Sequence, residues 1–274
     1  MSVATTEKAA GTPATPAIAP HLLQLVIYGA APIILLLLWQ IAASSGYLPG
    51  YLLPSPVQVF YAFIDSIKDG SLLQNLATST VRSVVGFVIA MVIAVPAGIA
   101  IGWFKYVRKA TALPLLLLVP IPITAWISIA ILWFGLGDRS AIFLVALGAA
   151  VPILINTIHG VEWVDRIYVD AARVLGTGRS QILWRIVLPA ALPNILTGAR
   201  LGLRNSWAGL VVAEMIGAQS GIGYMIWDAR LMLRSDLLVL GMFMVGILGS
   251  ISDQLMHLVM RHLLRWHGGN SRED

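Results

Sequence analysis

The chain of 274 residues is 58% hydrophobic and only 11% charged, and it has no cysteine; an ordinary globular domain carries about half apolar and roughly a quarter charged residues. A soluble fold of this length cannot cover so much apolar surface with so little charge, and disorder, nucleic-acid wrapping, a disulfide scaffold and a thiolate metal site are excluded with it. The net charge of +5 therefore reads as membrane topology, because the cytoplasmic loops of membrane proteins collect Lys and Arg.

Residues 1–21, rich in Ala, Thr and Pro, are expected to be a disordered tail. The segment 22–45 contains an uncharged run from Leu22 to Ala43, enough for a first transmembrane helix. Its apolar core is too long, and its flank too weakly basic, for a cleaved signal peptide. In the segment 46–78, Ser55 is placed as an N-cap and Pro56 at the first position of an amphipathic surface helix, with Val59, Phe60, Phe63, Ile64 and Ile67 at helical spacing. A core over 79–262 holds further apolar runs at Val84 to Phe104, Leu113 to Phe134, Ala141 to Ile158, Ile195 to Ile216 and Leu237 to Met260. Together these predict an all-α integral membrane protein with six spans. Pro96, Pro114, Pro120, Pro122 and Pro152 are expected to kink the second to fourth. Residues 263–274 form a tail, and the stretch Arg261 to Trp266 suits an interfacial anchor. No internal repeat suggests duplicated halves, so a pore would need two copies of the chain.

With the amino terminus in the cytoplasm, eleven basic residues lie inside: Lys8, Lys105, Arg108, Lys109, Arg166, Arg173, Arg179, Arg185, Arg261, Arg265 and Arg272. Four lie outside, Lys68, Arg139, Arg230 and Arg234, while Arg82, Arg200 and Arg204 sit at or inside span ends and are left uncounted. Both termini are thus expected in the cytoplasm of a multi-pass inner-membrane protein, together with the long loop 159–194.

That loop carries Asp170-Ala171-Ala172-Arg173-Val174-Leu175-Gly176 and, after nine residues, Ile186-Val187-Leu188-Pro189. Ala171, Ala172 and Gly176 put a smooth strip on a short helix, allowing close approach of another protein. Leu175, Ile182, Leu183, Ile186 and Leu188 are apolar in an aqueous loop and need something to bury them. A partner groove and packing within the chain are both open on spacing alone.

The run D-A-A-x3-G-x9-I-x-L-P over 170–189 resembles the EAA motif of ABC importer permeases, with Asp170 where the family name has Glu. Leu53-Pro54-Ser55-Pro56, P-I-P-I-T-A-W over 120–126, Trp133-Phe134-Gly135-Leu136-Gly137-Asp138, Ala213-Glu214 and Gly221-Ile222-Gly223-Tyr224 are similar to the nitrate, taurine and alkanesulfonate branch of those permeases. The resemblance implies a type I importer fold and a homodimer with a second copy of the chain. It also implies two ATP-binding cassette subunits, which would hold ATP and Mg, and an external substrate-binding protein. Asp170, Ala171, Ala172, Gly176, Ile186, Leu188 and Pro189 are then the expected coupling residues, and Gly221, Gly223 and Tyr224 belong to the neighbourhood of an outer gate. The chain's only lysines are Lys8, Lys68, Lys105 and Lys109, none preceded by glycine, so it offers no Walker A sequence of its own.

Trp126, Arg204, Asn205, Trp207 and Glu214 are the candidate pathway residues, because polar groups within a span turn toward the interior of a bundle. Arg204 departs from the family pattern, which has a small residue there. It either attracts an anion together with Asn205 or pairs with an acidic group to brace the assembly. Glu214 is alternatively a proton-coupling carboxylate, and Trp126 and Trp133 are packing anchors or stacking rings. No catalytic or metal constellation is found: His257, His262 and His267 are five apart and do not share a helix face, and neither H-E-x-x-H nor G-x-S-x-G is present. The alternative function is a secondary transporter or channel working without ATP.

Overall fold

A computed structural model describes residues 20–45 and 49–264, with side chains from Ala30 onward. Most of both expected tails lies outside those residues, including Lys8, Arg265, Trp266 and Arg272, while Pro20 and His21, assigned to the first tail, are already helical. Among the described residues all regular structure is helical. The chain divides after Val57 into two units. In the first, α1 (Pro20–Ser44) runs for 25 residues, about 37 Å at 1.5 Å per residue. From this helix the Trp39 indole Nε1 donates to the Pro54 carbonyl at 3.0 Å.

The second unit is a helical bundle. It takes in all but the first two residues of α2 (Pro56–Lys68), which starts at the proline as the sequence predicts. Its buried line runs through Val59, Ala62 and Ser66, whereas Phe60 and Ile67, expected on the apolar face, are exposed. Asp69 then accepts from the Ser71 amide at 2.9 Å, and hydrogen bonds from the Ser71 hydroxyl and amide hold its carboxyl below the ordinary carboxylate value.

Three long helices make the core: α3 (Ser71–Trp103), α6 (Asp138–Glu162) and α9 (Leu188–Gly217). Within hydrocarbon there is little hydrophobic drive between helices, so close backbone packing through small residues has to supply the attraction. On α3 the buried positions Gly86, Ala90, Ala94, Gly98 and Gly102 recur every fourth residue and form one seam. A methyl at Gly98 would come 2.6 Å from Thr157 Cβ, and one at Gly102 2.7 Å from Val161 Cβ. Gly198 and Gly202 do the same for α9 against Pro152, Ile153 and Ala149. Consequently α6 lies between the other two helices, with Ala149 and Ile153 wholly buried.

The expected third span, Leu113 to Phe134, is not one helix. α4 (Lys105–Leu118) stops, a 3-10 turn (Ile123–Trp126) intervenes, and α5 (Ile127–Phe134) leaves at a bend of 90°. Pro120 and Pro122 are the cause, since neither can donate to the carbonyl one turn back. Among the described residues four helices are long and apolar enough to cross a membrane, or five if the bent pair counts as one span.

The expected cytoplasmic segment 159–194 is mostly helical. It holds α7 (Arg166–Val174), and from Arg179 onward a continuous helix of 39 residues, made of α8 (Arg179–Ile182), a π turn (Leu183–Val187) and α9. The wide turn, in which the Leu188 amide donates to Leu183, sits immediately before Pro189 and relieves the clash that its ring would make with the previous turn. α10 (Ile222–Leu231) and α11 (Ser235–Leu263) complete the bundle.

Candidate functional site

At the end of the bundle that carries Trp103 and Glu162, α7 is a short helix bounded by its own sequence. The Asp165 side chain caps it by accepting from the Ile167 amide at 2.9 Å. Gly176 stops it in the left-handed conformation at φ 78°, with Gly176 N–H donating to Arg173 and Thr177 N–H to Ala172. The glycine is therefore required by the backbone, and a Cβ there would meet nothing within 4 Å in this chain. Asp170 pairs with Arg173 of the same helix at 3.0 Å.

The expected smooth strip is divided by the fold. Ala172 is buried with Val169 against Val161, Ile182, Val187 and Ala191, while Ala171 is exposed. Ile182, Leu183 and Ile186, for which a partner and packing within the chain were both open, are covered or half-covered by the chain itself, in a cluster with Val161, Val169 and Ala172. What stays uncovered is another face: Ile167, Ala171, Val174 and Leu175, at i, i+4, i+7 and i+8 on one side of α7 and its last turn. Val174 is 88% and Leu175 84% exposed, and Tyr168 and Trp184 flank them. Among the coupling candidates Leu188 is half-buried and Pro189 exposed.

The pathway candidates separate into three places. Trp126 and Asn205 border a cavity of about 500 Å³ whose walls are otherwise apolar, including Leu115, Ile121, Leu147 and Pro152. The elbow of the broken span is pinned beside it, since Ile123 Cδ1 fills a slot in which a Cβ at Gly148 or Gly209 would come within 2.7 or 2.6 Å. Arg204, although next to Asn205 in sequence, faces a different cavity of about 400 Å³ between α9 and α11, shared with Trp207. There Arg200 and Arg204 both grip Asp253, the first at 2.7 and 2.6 Å and the second at 3.0 and 3.0 Å. Trp207 is buried, and its Nε1 donates to Ser252 Oγ at 3.2 Å. Trp133 lies on α5, beyond the turn that holds Trp126, so the two rings do not share one continuous helix face; it packs edge-on to Phe134 and Phe143.

Glu214, a pathway candidate, is 0% exposed in the single chain. Its carboxylate accepts from Ser79 Oγ at 2.8 and 2.9 Å, from Arg82 Nη1 at 2.9 Å and from the Gly223 amide at 2.9 Å. Arg82 spends every guanidinium N–H, donating also to Asp138 at 2.8 and 2.5 Å and to Ser220 at 2.6 and 3.0 Å. Asn75 receives the Gly221 amide at 2.8 Å, and Ser79 receives that of Ile222 at 2.8 Å. Gly221, at φ 108°, leaves no room for a Cβ, which would land on the Glu214 carboxylate. Gly221 and Gly223 are thus held by this knot, and Tyr224 beside them is half-buried. Arg82 was set aside in the charge count as a span-end residue, yet Asn75, Ser79 and Arg82 are spaced four and three apart, a polar stripe on a helix heading into an apolar run. Among the described residues no group of three His, Asp or Glu side chains could hold a metal.

The family described as binding-protein-dependent transport system inner membrane component matches residues 52–266. A protein named as an aliphatic sulfonates transport permease, SsuC, of Bacillus subtilis is 37% identical over 86% of this chain and 85% of its own length. The taurine transport system permease protein TauC of Escherichia coli is 33% identical over 86% of this chain and 87% of its own. The nitrate import permease protein NrtB of Synechocystis is 36% identical over 81% and 83%. Among solved structures, an inward-facing MetNI methionine ABC transporter has a chain with the same fold at TM-score 0.61 and 18% identity, covering 72% of this chain and 97% of that one.

Proposed function

The chain belongs to the family of binding-protein-dependent transport system inner membrane components, and on that premise we propose that it is the membrane-spanning subunit of an ATP-driven importer for a small anion such as a sulfonate, taurine or nitrate. The observation that carries this reading is the uncovered apolar face of α7, with Val174 and Leu175 almost fully exposed and Ile167 beside them, in a segment whose Val169, Ala172, Ile182 and Val187 are already packed. Burial of one such side chain contributes about 1.5–3 kcal/mol, so the face suits a cleft on a nucleotide-binding partner. A channel or secondary transporter has no use for it.

In this scheme two copies of the chain line the path, with α1 and the α4–α5 pair each counted as a span to make six. The permease core is 79–262, preceded by the 22–45 span and the external segment 46–78. Both termini and α7 face the cytoplasm, two ATP-binding subunits dock on α7 from below, and a substrate-binding protein delivers the solute from above. Closure of the nucleotide subunits, by favouring one docked position of α7, shifts the bundle between inward and outward access. Asp170, Ala171 and Gly176 then belong to the coupling surface, while Ala172, Ile186 and Leu188 support it from the inside. Trp126 and Asn205 line one part of the route, and Arg204 and Trp207 a second.

The test is a double substitution, Val174→Asp with Leu175→Asp, in tagged protein purified with its ATP-binding subunit. The variant should keep wild-type thermal stability in detergent and lose the subunit on affinity chromatography. Full retention of that subunit would remove α7 as the docking element.

A further inference from the structure

We propose that Asp253 is a displaceable internal counter-ion, holding the Arg200 and Arg204 guanidiniums that a permeating oxyanion engages as it passes. The inference rests on Arg204 being a pathway residue and adds the group that competes with the solute there. Asp253 comes from α11 and meets both arginines of α9 in the same way: Oδ1 accepts from each Nε and Oδ2 from each Nη2. Four bonds use the acceptor capacity of one carboxylate. One negative charge therefore answers two positive ones, and the cluster carries a surplus of +1. The Nη1 groups of both arginines have no partner among the described residues.

A brace between α9 and α11 would need one arginine and one aspartate. The second guanidinium adds desolvation cost without adding acceptors, which is unfavourable within a span unless water or an anion reaches it. In the single chain Arg204 is the more exposed of the pair, at 57% against 33%. The adjoining cavity of about 400 Å³ is walled on the α11 side by Gly246, Gly249, Ser250 and Gln254. A Cβ at Gly246 or Gly249 would meet nothing within 4 Å, so the space beside the guanidiniums is open. A sulfonate, carboxylate or nitrate has the spacing of oxygens that the guanidinium fork recognises. It can take the free Nη1 donors first and then share Nη2 with Asp253, bringing the cluster to neutrality. Return of Asp253 to its four bonds then expels the anion, and the site binds firmly enough for entry yet weakly enough for exit.

The test is binding of radiolabelled ethanesulfonate to the purified full-length chain in detergent, by scintillation proximity. Asp253→Asn should bind about tenfold tighter than wild type, the scale of removing one competing charge at a half-exposed site. Arg204→Gln should bind weakly in either background. Arg200→Gln, which leaves one arginine balanced by one aspartate, should also lose binding although Arg204 is intact, and it serves if Asp253→Asn is not monodisperse. Unchanged affinity in folded Asp253→Asn, or full binding by Arg200→Gln, overturns the counter-ion while leaving Arg204 on the pathway. Wild-type binding by Arg204→Gln overturns both.

Discussion

Arg82 illustrates how a residue within a span can be worth more to the fold than to transport. Its five N–H donors are all used, and it is the only cation against the buried Glu214 carboxylate among the described contacts. Removing one partner of a buried pair leaves the other charge unanswered, which costs about 3–5 kcal/mol. Arg82→Ala should therefore lower thermal stability in detergent by that order, whereas Glu214→Gln, which keeps a hydrogen-bonding group in place, should cost clearly less. Equal losses in the two variants would mean that ionic pairing is not what holds the knot. The sequence marked Glu214 as unusual but could not say where it points, since burial of a carboxylate depends on which helices bring donors to it. Only the approach of α3 to the start of α10 supplies Ser79, Arg82 and the Gly223 amide together.

Among the elements, the broken span departs most from a reading by hydropathy. A window average sees Leu113 to Phe134 as one apolar run, while two prolines two residues apart divide it and turn its halves through 90°. The elbow is then fixed by shape: Ile123 enters a slot that exists because Gly148 on α6 and Gly209 on α9 lack side chains. Gly209→Val should overfill the slot and destabilise the bundle by about 1–3 kcal/mol. Ile123→Ala in the same chain should recover much of that loss, so a double-mutant cycle on thermal unfolding ought to be strongly non-additive. Additive losses would show that Ile123 and Gly209 do not share the contact. The same logic explains the long seam of α3, whose Gly and Ala spacing was visible in the sequence although its partner, α6, was not.

For the whole molecule, the distribution of charge makes a prediction that needs no partner protein. The chain has no cysteine, so single cysteines can be introduced without background. Ser180, at the start of the long helix Arg179–Gly217, and Gln219, just past its other end, are both exposed. A cysteine at Ser180 should react with a membrane-impermeant maleimide only in inside-out vesicles, and one at Gln219 only in intact spheroplasts. The reverse pattern would invert the topology and move α7 away from any cytoplasmic partner.

Composition determined the solvent and the long apolar runs the helical class, because the ratio of apolar to charged residues and the length of a run are properties of the chain and not of its conformation. Local spacing determined the start of α2 at Pro56 and drew attention to the segment 170–189. What only the tertiary structure decided is which groups meet. Adjacent Arg204 and Asn205 face separate cavities, Ala171 and Ala172 divide between surface and core, and Leu175 rather than Ile182 is left uncovered. Each of these turns on the angle of a side chain around a helix axis relative to a neighbour far away in sequence. Periodicity fixes such angles within one helix but not the direction from which another helix arrives.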